Sequence, residues 1–399
     1  MKGNALVVQA GGPTTVINSS LAGIIAASKE SGNIENIYGS RWGMLGLLDE
    51  NFIDLTKESD VVIEGLKRTP SSALGSSRYK LSDKDMPNVI EIFKKYNIRY
   101  FFGIGGNDTM LNVKQVESYC NSHGYEIKGM GCPKTVDNDL FGTDHTPGFP
   151  TAAKYVALSI LQGGILARDM QKVDQFVIYQ TIGRDAGWLA AAAIAAKKHD
   201  YDPPHIVLVP EIPFDKNKFF EVFEKAYKKY GYVSVICGEG IAYEDGTPVS
   251  ASQVKDDFSN IEFGAMGGTS AAMMLHRMIR EKFNFRGEFQ VPESLPMCSA
   301  DRAVELDIEE AFSLGYNAVK MADEGTTGLM TTIIRKSNNP YTTEIGTIPL
   351  GDVAAKTKPL PLEYIDKDNL TIKDSFKEYL MPLVGDMPEY TTLNFYPVK

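Results

Sequence analysis

The sequence predicts an α/β fold with largely parallel sheets in two lobes, and three observations carry that expectation. Six short apolar runs, most of them ending in glycine, alternate with stretches whose apolar residues recur at every third or fourth place; this order places helices on both faces of a parallel sheet. At 399 residues the chain is longer than one hydrophobic core usually serves. The glycine turns also run into helix-starting or acidic residues, and sites in such sheets lie beyond the carboxyl ends of the strands.

Taken in order, the strands read ALVVQAGG from Ala5, YFFGIGG from Tyr100, YEIKGMG from Tyr125, FVIYQTIG from Phe176, HIVLVPE from His205 and VSVICGEG from Val233. Each is a near-continuous apolar run, as strands covered on both faces require. The helices begin near Thr15, Asn88, Thr109, Phe149 and Lys218, where spacing shifts to the helical period. After Ser337 the tail turns rich in Pro and Thr and reads as extended segments and loops before DSFKEYLMPLVG.

Composition narrows the function. Apolar residues make up 43% and charged residues 23%, and no apolar run approaches the roughly eighteen residues that span a bilayer. Met1 and Lys2 lead straight into a strand, so the expected location is the cytoplasm. The 4 cysteines form no C-x-x-C pair and the 5 histidines no ligand-spaced cluster, which argues against structural zinc. A net charge of −10 argues against nucleic acid as partner while leaving room for a small anion in a local basic pocket.

The first two glycine turns end in helix starts: Gly11 and Gly12 before Thr14, Thr15 and Asn18, and Gly105 and Gly106 before Asn107, Asp108 and Thr109. Free N–H groups there favour phosphate, although one such turn alone is equally an ordinary strand-to-helix connection. Past the third turn, PKTVDND (133–139) carries Lys134 and the carboxylates of Asp137 and Asp139, two residues apart. In an extended loop both would point to one side. Asp and Asn also favour plain turns, and it is the neighbouring GGNDT turn and Lys134 that tilt the reading toward a site. A dinucleotide site is excluded, because GGPTTV lacks the G-x-G-x-x-G spacing.

These segments resemble the phosphofructokinase family, and within it the pyrophosphate-dependent branch. The matches run in family order: GGPTTVIN (11–18), LGSSRY (74–79), GGNDT (105–109), PKTVDND (133–139), IGRDAG (182–187), GEG (238–240) and DIEEAFSLGYNAV (307–319). PKTVDND together with GGNDT is specific, whereas GEG alone is not. The resemblance implies two Rossmann-like lobes with largely parallel sheets, a phosphofructokinase-like fold with the active site in the cleft. It places the donor site on residues 1–148 plus about 296–337, much of the acceptor site on 149–295, and a C-terminal extension on 338–399.

Carried over position by position, the resemblance makes Asp137 the general base, with Asp139 beside it and Lys134 and Thr135 in the same catalytic group. Arg78 and Arg184 would neutralise the phosphoryl group in flight; their bland alternative is a salt bridge between lobes. Gly11, Gly12, Gly106, Asn107, Asp108, Thr109 and Lys134 would take the donor. Thr135, Asp137, Ile182, Gly183, Arg184, Glu239 and Arg286 would take the acceptor, and Asn107, Asp137 and Asp139 would hold Mg2+. The neutral amide of Asn107 stands where the family often has a carboxylate near the metal, which weakens that ligand.

The donor and acceptor are read differently. Asp108 and Lys134 stand where ATP users have glycines; at about 4 Å and an effective dielectric near 20, a carboxylate repels a nucleotide phosphate by roughly 4 kcal/mol, while an ammonium suits pyrophosphate. For the acceptor, Pro296 and Met297 stand where the family has a Gln-Arg pair, and Gln175 replaces an arginine. Arg286, Arg302, Lys172 or His276 are candidates to compensate for those missing charges. Pyrophosphate and fructose 6-phosphate are the first substrate pair. A different acceptor (sedoheptulose 7-phosphate, another sugar or a nucleoside), ATP as donor, and a non-catalytic metabolite-binding subunit stay open at this point. The resemblance further implies a homodimer or homotetramer.

Overall fold

The computed structural model describes residues 1–252, 254, 267–394 and 396–398. Two sheets organise it. The larger has the order β11-β10-β5-β4-β1-β2-β3, from β1 (Gly3–Gln9), β2 (Ile34–Ser40), β3 (Phe52–Asp54), β4 (Ile98–Gly105), β5 (Lys128–Pro133), β10 (Leu329–Asn338) and β11 (Tyr341–Pro349). β2, β1, β4, β5 and β10 run parallel, and the outermost strands β3 and β11 are antiparallel. The smaller is fully parallel in the order β7-β8-β6-β9, from β6 (Phe176–Thr181), β7 (Ile206–Leu208), β8 (Val233–Gly238) and β9 (Gly287–Gln290).

The apolar runs are continuous because alternate side chains serve different cores. In β1, Ala5 and Val7 pack with the helix Ile17–Glu30 and the helix Glu305–Asp323 on one face. Leu6 and Val8 pack with the helices Met86–Lys95 and Asn107–Ser122 on the other. The smaller sheet repeats the scheme, with Tyr179 and Ile236 facing one core and Ile178 and Val235 the other. A strand flanked by two dry cores cannot show the polar alternation of a half-exposed one.

All six strands expected from the sequence form. Two local details differ. The helix after the first glycine turn starts at Ile17, so Thr14 and Thr15 stay in the turn with both hydroxyls buried and lacking a protein partner. The tail does more than extend and loop: β11 closes a hairpin on β10, and the helix Ser375–Val384 buries Phe376, Leu380 and Leu383 in the core beneath the smaller sheet. Among the described residues no helix is long and apolar enough to cross a membrane.

Candidate active site

The carboxyl ends of the two sheets face each other across two adjoining clefts. One, of about 350 Å³, is lined by the 134–139 loop, by residues 180–186 at the end of β6 and just past it, by Glu239 after β8 and by Glu293, Ser294 and Met297. The other, of about 490 Å³, is lined by the first two glycine turns, Arg78 and Lys80. Arg78, Lys134, Thr135, Asp137 and Arg184 line both.

Backbone geometry explains the glycines. Gly11 has φ +78°, which costs a side-chain-bearing residue strain, and a Cβ there would stand 3.3 Å from Lys134 Nζ. A Cβ on Gly12 would meet the Met297 methyl at 2.7 Å. Lys134 donates from its buried ammonium to the Gly12 carbonyl, and its amide donates to Gly105 O at 3.0 Å, so one residue ties the first two turns to the loop after β5; the Gly129–Gly131 run, expected as a third turn, lies within that strand. Asp137 and Asp139 do reach one cleft, though by another route than an extended loop. Asn138 between them is left-handed, with φ +56°, and its Oδ1 accepts from Thr146 N at 3.0 Å.

Charge is concentrated here. Burial pushes the Asp137 carboxyl upward, helped by the neighbouring Asp139 and Glu239 and opposed by Lys134 and Arg184. Burial likewise raises Asp139 and lowers the Lys134 ammonium to about 8, which leaves it mostly charged at neutral pH. Asp137 as a residue is only half-buried. Its Oδ1, however, is shut off from solvent and has no protein partner, and that atom sets the carboxylate's environment. Asn107 Oδ1 is a second buried acceptor without a partner. Unpaired buried acceptors cost about 1–3 kcal/mol each, so a ligand that satisfies them is favoured there.

Those two orphaned oxygens are the test of fit for a divalent cation. Among the described residues no group of three His, Cys, Asp or Glu side chains forms a closed metal cage. Mg2+ seldom uses one; it binds through one or two carboxylates plus substrate phosphates and water. Asp137, Asp139 and the Asn107 amide fit that donor set.

Of the residues expected at the donor side, Gly11, Gly12, Gly106, Asn107, Asp108, Thr109 and Lys134 all line the second cleft. On the acceptor side Thr135, Asp137, Ile182, Gly183, Arg184 and Glu239 line the first, where the Gly183 amide donates to Glu239 Oε1 at 3.2 Å. Arg286 does not. It precedes β9 at the amino end of the smaller sheet, its side chain is 75% exposed, and its Nε pairs with Asp174 at 2.9 Å. Parallel pairing of Gly287 with Phe176 puts it at the opposite end of the strands from the cleft. Gln175 sits at that same end, its Oε1 accepting from Arg286 N. The other candidate cations are engaged elsewhere: Arg302 holds Tyr155 O and Ser159 Oγ, and His276 faces Gly287 O. Lys172 is exposed before β6.

Sequence reasoning passed over Lys80, whose ammonium lies 3.0 Å from Asp108 in the donor cleft. A basic residue two places after Arg78 was its only signal. It also passed over Glu211, whose Oε1 accepts from Gly187 N at 2.9 Å and from Leu360 N at 2.7 Å, bracing the turn after Arg184.

Comparison with known proteins agrees with this geometry. The chain is 36% identical over 396 residues to the pyrophosphate–fructose 6-phosphate 1-phosphotransferase of Halomonas elongata, covering 97% of this chain and 93% of that one. It is 34% identical over 406 residues to the enzyme of the same name from Methylococcus capsulatus, at 98% and 96% coverage. The crystal structure of a pyrophosphate-dependent phosphofructokinase from Marinobacter aquaeolei superposes with a TM-score of 0.87 at 35% identity, covering 99% of this chain and 94% of that one. The sequence profile described as Phosphofructokinase matches residues 4–338. Two facing sheets, two glycine turns on one lysine and a paired carboxylate loop thus accompany a family match across most of the chain, which belongs to the phosphofructokinase family.

Proposed function

We propose that the chain transfers a phosphoryl group from pyrophosphate to the 1-hydroxyl of fructose 6-phosphate. The observation that carries this reading is the meeting of two clefts on Arg78, Lys134, Asp137 and Arg184, so that a donor in one and an acceptor in the other share them. The full-length relatives named above support the same substrate pair.

In this mechanism Asp137 takes the proton of the sugar hydroxyl as its oxygen forms the new O–P bond. The raised affinity of Asp137 for a proton suits it to that role near neutral pH. The bridging P–O bond of pyrophosphate breaks, and Lys134 neutralises the departing phosphate. Arg78 and Arg184 meet the charge that spreads over the phosphoryl oxygens in flight. Thr135 orients the loop, its Oγ1 accepting from Asp137 N at 3.2 Å. Glu239 and the Ile182–Gly183 backbone hold the sugar. Asn107, Asp137 and Asp139 would hold Mg2+, which supplies charge neutralisation on the phosphate oxygens when bound.

Donor choice rests on charge: the Asp108 carboxylate, paired with Lys80 at 3.0 Å, lines the donor cleft, where it would repel the additional phosphate of a nucleotide. We assign residues 1–148 with about 296–337 to the donor lobe and 149–295 to the acceptor lobe, a division supported by the two separate sheets; of the 338–399 extension, β11 belongs to the larger sheet and the helix Ser375–Val384 to the core of the smaller. A cytoplasmic homodimer or homotetramer is proposed in addition, supported by Leu166, Met170 and Phe289, which are exposed near the open edge of β9.

The experiment is product formation with Mg2+ and fructose 6-phosphate and either pyrophosphate or ATP. Turnover with pyrophosphate alone is expected. Turnover with ATP alone would overturn the donor assignment, and silence with both would overturn the acceptor.

A further inference from the structure

The tail segment that precedes the last helix grips the catalytic loop from behind. Thr357 bridges Leu140 in antiparallel fashion, and Lys358 N donates to Asp139 O at 2.7 Å. The Lys358 ammonium turns into the same loop and donates to Asn138 Oδ1 at 3.2 Å, Thr143 O at 3.1 Å and Asp144 O at 2.9 Å. Its carbonyl accepts from Trp188 Nε1 at 3.0 Å, and its Nζ stands 5.0 Å from the centre of the Trp188 ring. Two residues on, Leu360 N shares Glu211 Oε1 with Gly187 N. The strap therefore holds two loops at once: the one that carries Asp137 and Asp139, and the one that follows Arg184.

We infer that Lys358 is a positioning residue for phosphoryl transfer, fixing the 137–144 loop without touching either substrate. It lines neither cleft, so it contributes no direct contact. Burial pushes the Lys358 ammonium down to about 7, and its three hydrogen bonds and neighbouring carboxylates offset part of the cost of shielding it from water. Its three acceptors lie on three different residues of one loop, which pins the loop from the left-handed Asn138 onward to Asp144. The carboxylates of Asp139 and Asp144 supply the opposite charge, with the Arg335 guanidinium as the competing cation from β10. Asn138 Oδ1 would lose a donor if Lys358 were removed, keeping only the Thr146 amide, and two loop carbonyls would lose their common partner.

This inference rests on the phosphoryl-transfer reading, and its test includes a readout that does not. The full chain would be compared with K358M, of similar length without charge or donors, and with K358R and K358Q. For K358M we expect kcat to fall about 10- to 100-fold with both KM values within about threefold, the signature of misplaced groups and not of lost binding. K358R should restore kcat to within about threefold. Hydrogen exchange of the 136–146 peptide should accelerate by about tenfold in K358M while β4, Ile98–Gly105, stays protected.

Unchanged exchange in 136–146, or kcat within twofold of the wild type, overturns the inference. Acceleration that spreads through β4 equally, with K358R no better than K358M, also overturns it, since that pattern marks a general structural role. If K358M does not fold, K358Q, which keeps donors without charge, carries the same comparison. If the wild-type protein shows no pyrophosphate-dependent turnover, the proposed function fails, and the exchange measurement still decides whether Lys358 holds the loop.

Discussion

Replacing Asp137 by asparagine should trade activity for stability, and both magnitudes follow from its surroundings. The amide has the same shape, keeps the contact between the Asp137 amide and Thr135 Oγ1, and cannot accept the proton of the sugar hydroxyl. Loss of a general base costs about 10²- to 10⁴-fold in kcat, or about 3–5 kcal/mol of transition-state stabilisation. In the folded state the carboxylate is itself a burden: burial, Asp139 and Glu239 all raise its affinity for a proton. The folded protein therefore keeps a proton there at pH values where the unfolded chain has released it. Stability from this group is complete below the ordinary carboxylate range and is lost as pH rises through the raised value. Each unit of that rise corresponds to about 1.4 kcal/mol, so Asp137→Asn should gain about 2 kcal/mol or more at pH 7.5 and nothing near pH 4. Initial rates with both substrates varied, together with urea denaturation at the two pH values, test the pair of expectations. A kcat within tenfold of the wild type would refute the base assignment, and equal or lower stability at pH 7.5 would refute the account of the carboxylate's environment.

Three further outcomes are expected. Lys134→Met should raise KM for pyrophosphate about 10- to 100-fold, the loss of charge-assisted hydrogen bonds to the donor, with a smaller effect on the KM for the sugar phosphate. Asp108→Gly should tighten competitive inhibition by ATP; because its side chain is 63% exposed and already 3.0 Å from Lys80, the gain is about 1 kcal/mol, near fivefold, and not the roughly 4 kcal/mol of an unscreened pair. His205 is held neutral, with Ser234 N donating to its Nδ1 at 2.9 Å and burial pushing its pKa from 6.5 down to about 4. The unfolded chain takes up that proton first, so wild-type stability should fall by up to about 3 kcal/mol between pH 6.5 and 4, and His205→Asn should flatten that part of the profile in denaturation titrations.

Much of the fold and site is legible in the sequence. The six apolar runs had to be covered strands, because a continuous run of Val, Ile and Phe broken by glycine has no polar face to offer water. The glycine turns and the Lys134–Asp139 segment lie close in sequence to those strand ends, so the rule that sites sit beyond carboxyl ends was enough to gather Gly11, Asn107, Lys134 and Asp137 into one place. Arg286 escaped that reasoning. Which end of the sheet a residue occupies depends on the direction and register of β9 against β6, and nothing near Arg286 in the chain encodes either.

Other features were decided only by long-range packing. The pairing of Lys80 with Asp108 joins residues from separate turns, and it cuts an exposed charge effect from several kcal/mol to about one. The left-handed Asn138 turns both carboxylates to the cleft where an extended loop had been expected. Lys358, more than two hundred residues from the loop it holds, carried no local signal at all in a Pro-rich tail. Sequence by itself determined what is short-range: strand period, turn chemistry and the side chains at strand ends. Tertiary structure decided what depends on chain segments meeting, because register, burial and counter-charge are properties of two distant partners and are written in neither alone.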